Sequence, residues 1–142
     1  MTATTESKQV VETTAPHILV INDTQEILDL FRELLEDEGY RVSLYSYAFK
    51  DMMEIKALDP DLVIIDFMIG GEAHGWQMLQ KMKMNRDTAA IPIVACTAAI
   101  HLVKELEGHL TTKNVRIVLK PFDIDDLLTE VRIGLQNLEP VD

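Results

Sequence analysis

The sequence predicts an α/β fold, a five-stranded parallel sheet doubly wound with five helices. Two observations carry that expectation. Short, unbroken apolar runs recur along the chain, and stretches with helical periodicity separate them. Strands buried on both faces read as continuous apolar runs, and crossover helices must alternate with them. A third observation points to where function lies: several of the apolar runs stop at a polar residue.

Taken in order, "HILVI" (17–21) is a buried strand. "TQEILDLFRELLEDEG" follows as a helix, with Ile27, Leu30, Phe31 and Leu34 at helical spacing and Gly39 as its stop. "YRVSLYSY" (40–47) alternates and suits a more exposed strand. "FKDMMEIKAL" is a short helix closed by Asp59-Pro60, and "DLVIID" is the third strand. "GWQMLQKMKMN" is the third helix, with Trp76, Leu79 and Met82 on one side. "IPIVACT" is the fourth strand, and "AAIHLVKELEGHL" a weaker helix broken by Gly108. "VRIVLK" is the fifth strand. "DIDDLLTEVRIGLQNL" is the last helix, its buried stripe formed by Ile124, Leu127, Leu128, Val131 and Leu135. Right-handed crossovers give the doubly wound topology, for which we expect the strand order 2-1-3-4-5.

The 142 residues fit one domain, expected over 16–138, with a polar tail over 1–15 and a short tail over 139–142. The start of the chain lacks the basic and apolar segments of a secretory signal, and no apolar run approaches the ~20 residues of a membrane helix. The lone Cys96, in an apolar run, reads as a buried thiol and excludes a disulfide framework, which suits a cytoplasmic protein. Thirteen basic against 24 acidic residues give a net charge of −11, which argues against nucleic acid as a direct ligand.

Ligands of open parallel sheets bind beyond the carboxyl ends of the strands. Asn22-Asp23, Asp66, Thr97 and Lys120 stand at those ends. In the expected order, Asp23 and Asp66 face each other across a crevice, with Thr97 and Lys120 on the other side of Asp66. Two adjacent carboxylates repel, and Mg²⁺, which takes oxygen ligands, resolves that repulsion. A metal, an ammonium and a hydroxyl together suit a phosphoryl group. There is no P-loop, so the nucleophile left for phosphorylation is a carboxylate, Asp66.

The segments "ILVINDTQEILDLF", "PDLVIIDFMIGG", "IPIVACTAA" and "LKPFD" resemble the receiver domain of bacterial response regulators, over about residues 16–138. The resemblance implies a flavodoxin-like fold. It implies that Asp66 accepts phosphate from a histidine kinase or phosphotransfer protein. It also implies that Asp23, Asp66 and the backbone carbonyl of Met68 hold Mg²⁺, that Thr97 and Lys120 contact the phosphoryl group, and that Lys120-Pro121 is cis.

Four departures from the family pattern stand out. Asn22 replaces one acid of a pair, so Mg²⁺ affinity is expected to be weaker, with the amide accepting from a metal-bound water. The loop after Asp66 lacks Met-Pro, is one residue longer than the family pattern, and carries Gly70, Gly71 and Gly75, which make it flexible. Ile117 stands where an aromatic is usual, so coupling of a ring rotamer to Thr97 is missing. Met68 and Ala99 are apolar at positions that tune phosphate lifetime, from which slow self-dephosphorylation follows.

His17, His74, His101 and His109 lack metal-ligand spacing and read as surface residues. Trp76 is expected near the start of the third helix as a spectroscopic reporter. The leading expectation is a stand-alone receiver that is not a conventional enzyme, catalyses its own phosphorylation and slow dephosphorylation, and signals by binding an effector protein, with no membrane or nucleic-acid partner. A pseudo-receiver interaction module is the alternative. A small phosphatase lacks its second acid, since Met68 stands there, and a flavodoxin lacks its phosphate loop at "NDTQE".

Overall fold

The computed structural model describes residues 15–46, 52–69, 71–98 and 114–136. Five strands and four helices lie within them: β1 (His17–Ile21), α1 (Gln25–Asp37), β2 (Arg41–Tyr45), α2 (Met52–Leu58), β3 (Leu62–Asp66), α3 (His74–Met84), β4 (Ile93–Thr97), β5 (Val115–Leu119) and α4 (Ile124–Gln136). The helix expected in "AAIHLVKELEGHL" falls outside the described residues except for its first position, as do both tails except for Ala15. All strand pairs are parallel, in the order β2-β1-β3-β4-β5, as the alternation of elements predicts.

The period of two along each strand divides the core in two. Leu19, Ile21, Val63, Ile65, Ile93 and Ala95 face one way, against Met52 and Ile55 of α2 and Met78, Leu79 and Met82 of α3. Ile18, Val20, Leu62, Ile64, Val94 and Cys96 face the other way, against Leu28, Phe31 and Leu35 of α1 and Leu127 and Val131 of α4. β3 and β4, with helices on both faces, are buried at every position, whereas the edge strand β2 is only half covered.

One helical stripe is rotated from its expected position, and another holds except at its first residue. On α1 the buried residues are Leu28, Phe31 and Leu35, while Leu30 is exposed. On α4, Leu127 and Val131 are buried and Ile124 is exposed at the first turn. Gly39 ends α1 as expected. Its φ of 91° lets its N–H reach Glu36 O, and the Tyr40 N–H reaches Leu35 O at 3.2 Å.

His17 is not an ordinary surface residue. Its Nδ1 lies 3.1 Å from the Leu58 carbonyl, which can only accept, so Nδ1 carries a proton. Its Nε2 meets the Ser43 hydroxyl at 2.7 Å, and its backbone N–H donates to Asp61 Oδ2 at 2.8 Å. This half-buried cluster ties β1, β2 and the end of α2 together at the amino end of the sheet, opposite the polar strand ends.

Candidate functional site at the carboxyl ends of the strands

Beyond β1, β3 and β5 lies a cleft of about 340 Å³, and Asn22, Asp23, Asp66 and Lys120 all line it. The strand order brings them together: β1 and β3 are neighbours, in register Ile21↔Ile65, so the residues that follow them meet. Lys120 arrives from one strand beyond β4, held by its own N–H donating to Thr97 O at 2.9 Å. The Lys120-Pro121 bond is cis, as the resemblance implied.

Asp66 is buried, with 7% of its surface exposed, and every donor near it comes from a different element. The Lys120 ammonium is ion-paired to its Oδ2. Asn22 Nδ2 also faces Oδ2, at a long 3.5 Å, and the Met68 N–H donates to Oδ1 at 3.1 Å. A carboxylate taken out of water needs such partners.

Asn22, 5% exposed, is oriented differently from the sequence expectation. The Thr24 N–H approaches its side chain at 2.9 Å and requires an acceptor, so Oδ1 occupies that place and the NH₂ group points at Asp66. Thr24 precedes the first turn of α1, so this Asx turn also sets how the chain enters that helix.

Thr97 ends β4 and is buried at 1% exposure, alongside Leu119 in register, without lining the cleft. Met68 is 42% exposed just beyond β3. The described part of the loop after Asp66 is a closed turn: Ile69 and Glu72 exchange backbone hydrogen bonds at 2.8 and 3.3 Å, with Gly71 at φ 78°. Gly75 makes that loop compact, since a Cβ there would sit 1.7 Å from the Asp66 carbonyl oxygen. Gly70 and Ala99 lie outside the described residues.

The apolar half of the cleft was not anticipated as part of the site. Ile27, Phe31, Ile64, Pro121 and Phe122 line it, with Phe31 and Phe122 stacked at 6.1 Å between centroids. Phe31 and Phe122 occur in the motifs, but only the fold, which brings α1 and the segment after β5 to the same cleft, reveals that they meet. Cys96 also lines it, as a proton-holding thiol: burial first, then the Asp66 charge, pushes its pKa up to about 12, and Lys120 partly opposes this. Trp76 packs edge-on against Phe67 at 5.4 Å, next to Asp66, which suits it as a reporter.

The donor set fits a hard divalent cation. Asp23 and Asp66 offer carboxylate oxygens in one cleft, and Mg²⁺ needs few protein ligands because it keeps its waters. Among the described residues no group of three or more His, Cys, Asp or Glu side chains is gathered to hold a metal ion.

The family model of the response regulator receiver domain matches residues 18–132, and the chain belongs to that family. It is 29% identical to the DNA-binding dual master transcriptional regulator RpaA of Synechocystis sp., over 89% of this chain and 52% of the relative. It is 28% identical to the phosphate regulon transcriptional regulatory protein PhoB of Rhizobium meliloti, over 88% of this chain and 54% of the relative. The chain therefore spans about half the length of these curated relatives. The CheY-like receiver domain protein from Methanospirillum hungatei superposes with a TM-score of 0.73 at 23% identity, covering 87% of this chain and 96% of that one. The receiver domain of a histidine kinase from Syntrophus aciditrophicus gives 0.74 at 21% identity, over 90% and 96% of the two chains. These two show the shared fold. Among the described residues no helix is long and apolar enough to cross a membrane.

Proposed function

We propose that this receiver accepts a phosphoryl group on Asp66 from a phosphohistidine of a kinase or phosphotransfer protein, and that phosphorylation controls its binding to a protein effector. The observation that carries the reading is the Lys120–Asp66 ion pair in a cleft shared with Asp23. A buried carboxylate with an ammonium on one oxygen is placed to attack phosphorus while the ammonium offsets charge on the transferring group. An Asp66 oxygen forms the new O–P bond as the donor's N–P bond breaks, and the electron pair stays on the imidazole nitrogen. Mg²⁺, held by Asp23, Asp66 and the Met68 carbonyl, would supply further charge neutralisation. Thr97, one backbone hydrogen bond from Lys120, would donate its hydroxyl to the phosphoryl group, which would pull it inward.

The net charge of −11 favours a protein over a nucleic acid as the receiver's own contact. The curated relatives are named as transcriptional regulators. For this chain we propose an output relayed through protein contact.

The test is the intact mass after incubation with a small-molecule phosphodonor and Mg²⁺, beside an Asp66→Asn control. One phosphate adduct that requires both Asp66 and Mg²⁺ is expected. Absence of an adduct, together with no Trp76 response to beryllofluoride, would replace this reading with that of an interaction module not switched by phosphate.

A further inference from the structure

We propose that Asn22 is a phosphoryl-binding residue: its NH₂ group donates to the oxygens of the group carried on Asp66, and it does not serve the metal. The inference rests on the phosphoacceptor reading of Asp66. Three observations carry it. Asn22 is buried at 5% exposure beside the carboxylate, so its orientation is set by protein and not by solvent. Of its two side-chain polar atoms only the oxygen could serve a cation or a metal-bound water, and that oxygen is turned to the Thr24 N–H at 2.9 Å, which takes one of its two lone pairs. Its nitrogen faces Asp66 Oδ2 at 3.5 Å and lines the cleft into which a phosphoryl group on that oxygen would project.

In the resting site this contact is long, and the Lys120 ammonium is paired to the same Oδ2. A phosphoryl group on Oδ2 places its oxygens one bond further into the cleft, where the two N–H groups of Asn22 find charged acceptors. Such charge-assisted hydrogen bonds are stronger than neutral ones. Asn22 also leaves the site one negative charge short of the two-acid arrangement. With Asp23 and Asp66 against Lys120, the resting cleft carries one net negative charge. A third carboxylate would double it, attracting a cation more strongly and repelling a phosphoryl dianion more strongly. Asn22 therefore shifts the preference of the site from metal towards anion.

Two variants separate the donor from the charge. Asn22→Ser keeps an oxygen for the Thr24 N–H, as in a serine turn, but is too short to reach Asp66. Asn22→Asp keeps the turn and adds the charge. For each variant, Mg²⁺ is titrated alone and beryllofluoride is titrated at saturating Mg²⁺, both followed by Trp76 fluorescence, with thermal melting as the check on folding. Asn22→Ser is expected to lose about tenfold in beryllofluoride affinity, the equivalent of one charge-assisted hydrogen bond, and to bind Mg²⁺ within twofold of the parent. Asn22→Asp is expected to tighten Mg²⁺ about tenfold and to weaken beryllofluoride.

Parent-like beryllofluoride affinity in Asn22→Ser, or tightening of both ligands in Asn22→Asp, overturns the role of Asn22 and leaves phosphorylation of Asp66 intact. Failure of the parent itself to bind beryllofluoride and to form the Asp66 adduct overturns both readings.

Discussion

Gly75→Ala tests how the loop after Asp66 is held. The methyl group would lie 1.7 Å from the Asp66 carbonyl oxygen, 2.8 Å from its carbon and 2.9 Å from the Phe67 oxygen. All three are backbone atoms, so no side chain can swing aside to make room. The start of α3 must back away from the end of β3, and the Trp76 N–H loses its 3.1 Å bond to Phe67 O. Overpacking of this kind costs about 1–3 kcal/mol, and a lost buried hydrogen bond about 1 kcal/mol more. Replacing glycine within a helix returns at most ~1 kcal/mol. The net expectation is a loss of about 1–3 kcal/mol. With a urea slope of ~2 kcal/mol per M, the unfolding midpoint should fall by about 0.5–1.5 M. Because the displaced atoms belong to Asp66, beryllofluoride affinity should fall in the same variant. Gly71→Ala is the control: it has open space around it and only a φ of 78° to contend with, so it should cost about 1 kcal/mol and leave the site alone. A Gly75→Ala midpoint within 0.2 M of the parent would refute the close-packing argument.

Other perturbations give further readouts. The Cys96 thiol, 9.0 in its unperturbed form, is raised to about 12 in the fold, so it adds stability that is complete below pH 9 and lost as pH climbs towards 12. That loss should be up to about 4 kcal/mol in urea melts, and Cys96→Ala should lack it; Tyr40, raised chiefly by burial, adds a drop of the same sign in both proteins. Met68→Gln puts a group able to orient water at an exposed position beside Asp66, and should shorten the lifetime of the phosphorylated form about tenfold by intact mass in a phosphatase-free sample; an unchanged lifetime would remove Met68 from the control of hydrolysis. Glu130→Ala breaks the half-buried ion pair with Arg116 between α4 and β5 and should cost about 1 kcal/mol, less in high salt.

The strands and their order were legible because burial on both faces leaves "LVIID" and "IVACT" apolar up to their last residue. Helix faces were less so. Periodicity on α1 identifies an apolar stripe, but its centre depends on the angle at which the helix crosses the sheet. Leu30 and Ile124 end up exposed at the margins of their stripes for that reason. The polar residues of the cleft were readable from their places at strand ends, but their orientations were not. Nothing in "NDTQE" says that Thr24 will claim the Asn22 oxygen, since that depends on how the chain turns into α1. Nor does the sequence show that Ser43, Leu58 and Asp61 converge on His17, which takes three elements from distant parts of the chain.

That His17 cluster separates two properties of the molecule in space. Strands of five residues, rising ~3.3 Å per residue, hold it some 15 Å from the chemistry at their other ends. A rigid sheet of this length acts as a spacer, and its two ends can be tuned independently. Substitutions among His17, Ser43 and Asp61 should shift the melting temperature without altering the cleft, and those at the exposed Met68 should do the reverse. A dye or a surface tether fixed at the His17 end would report on the receiver without touching its donor.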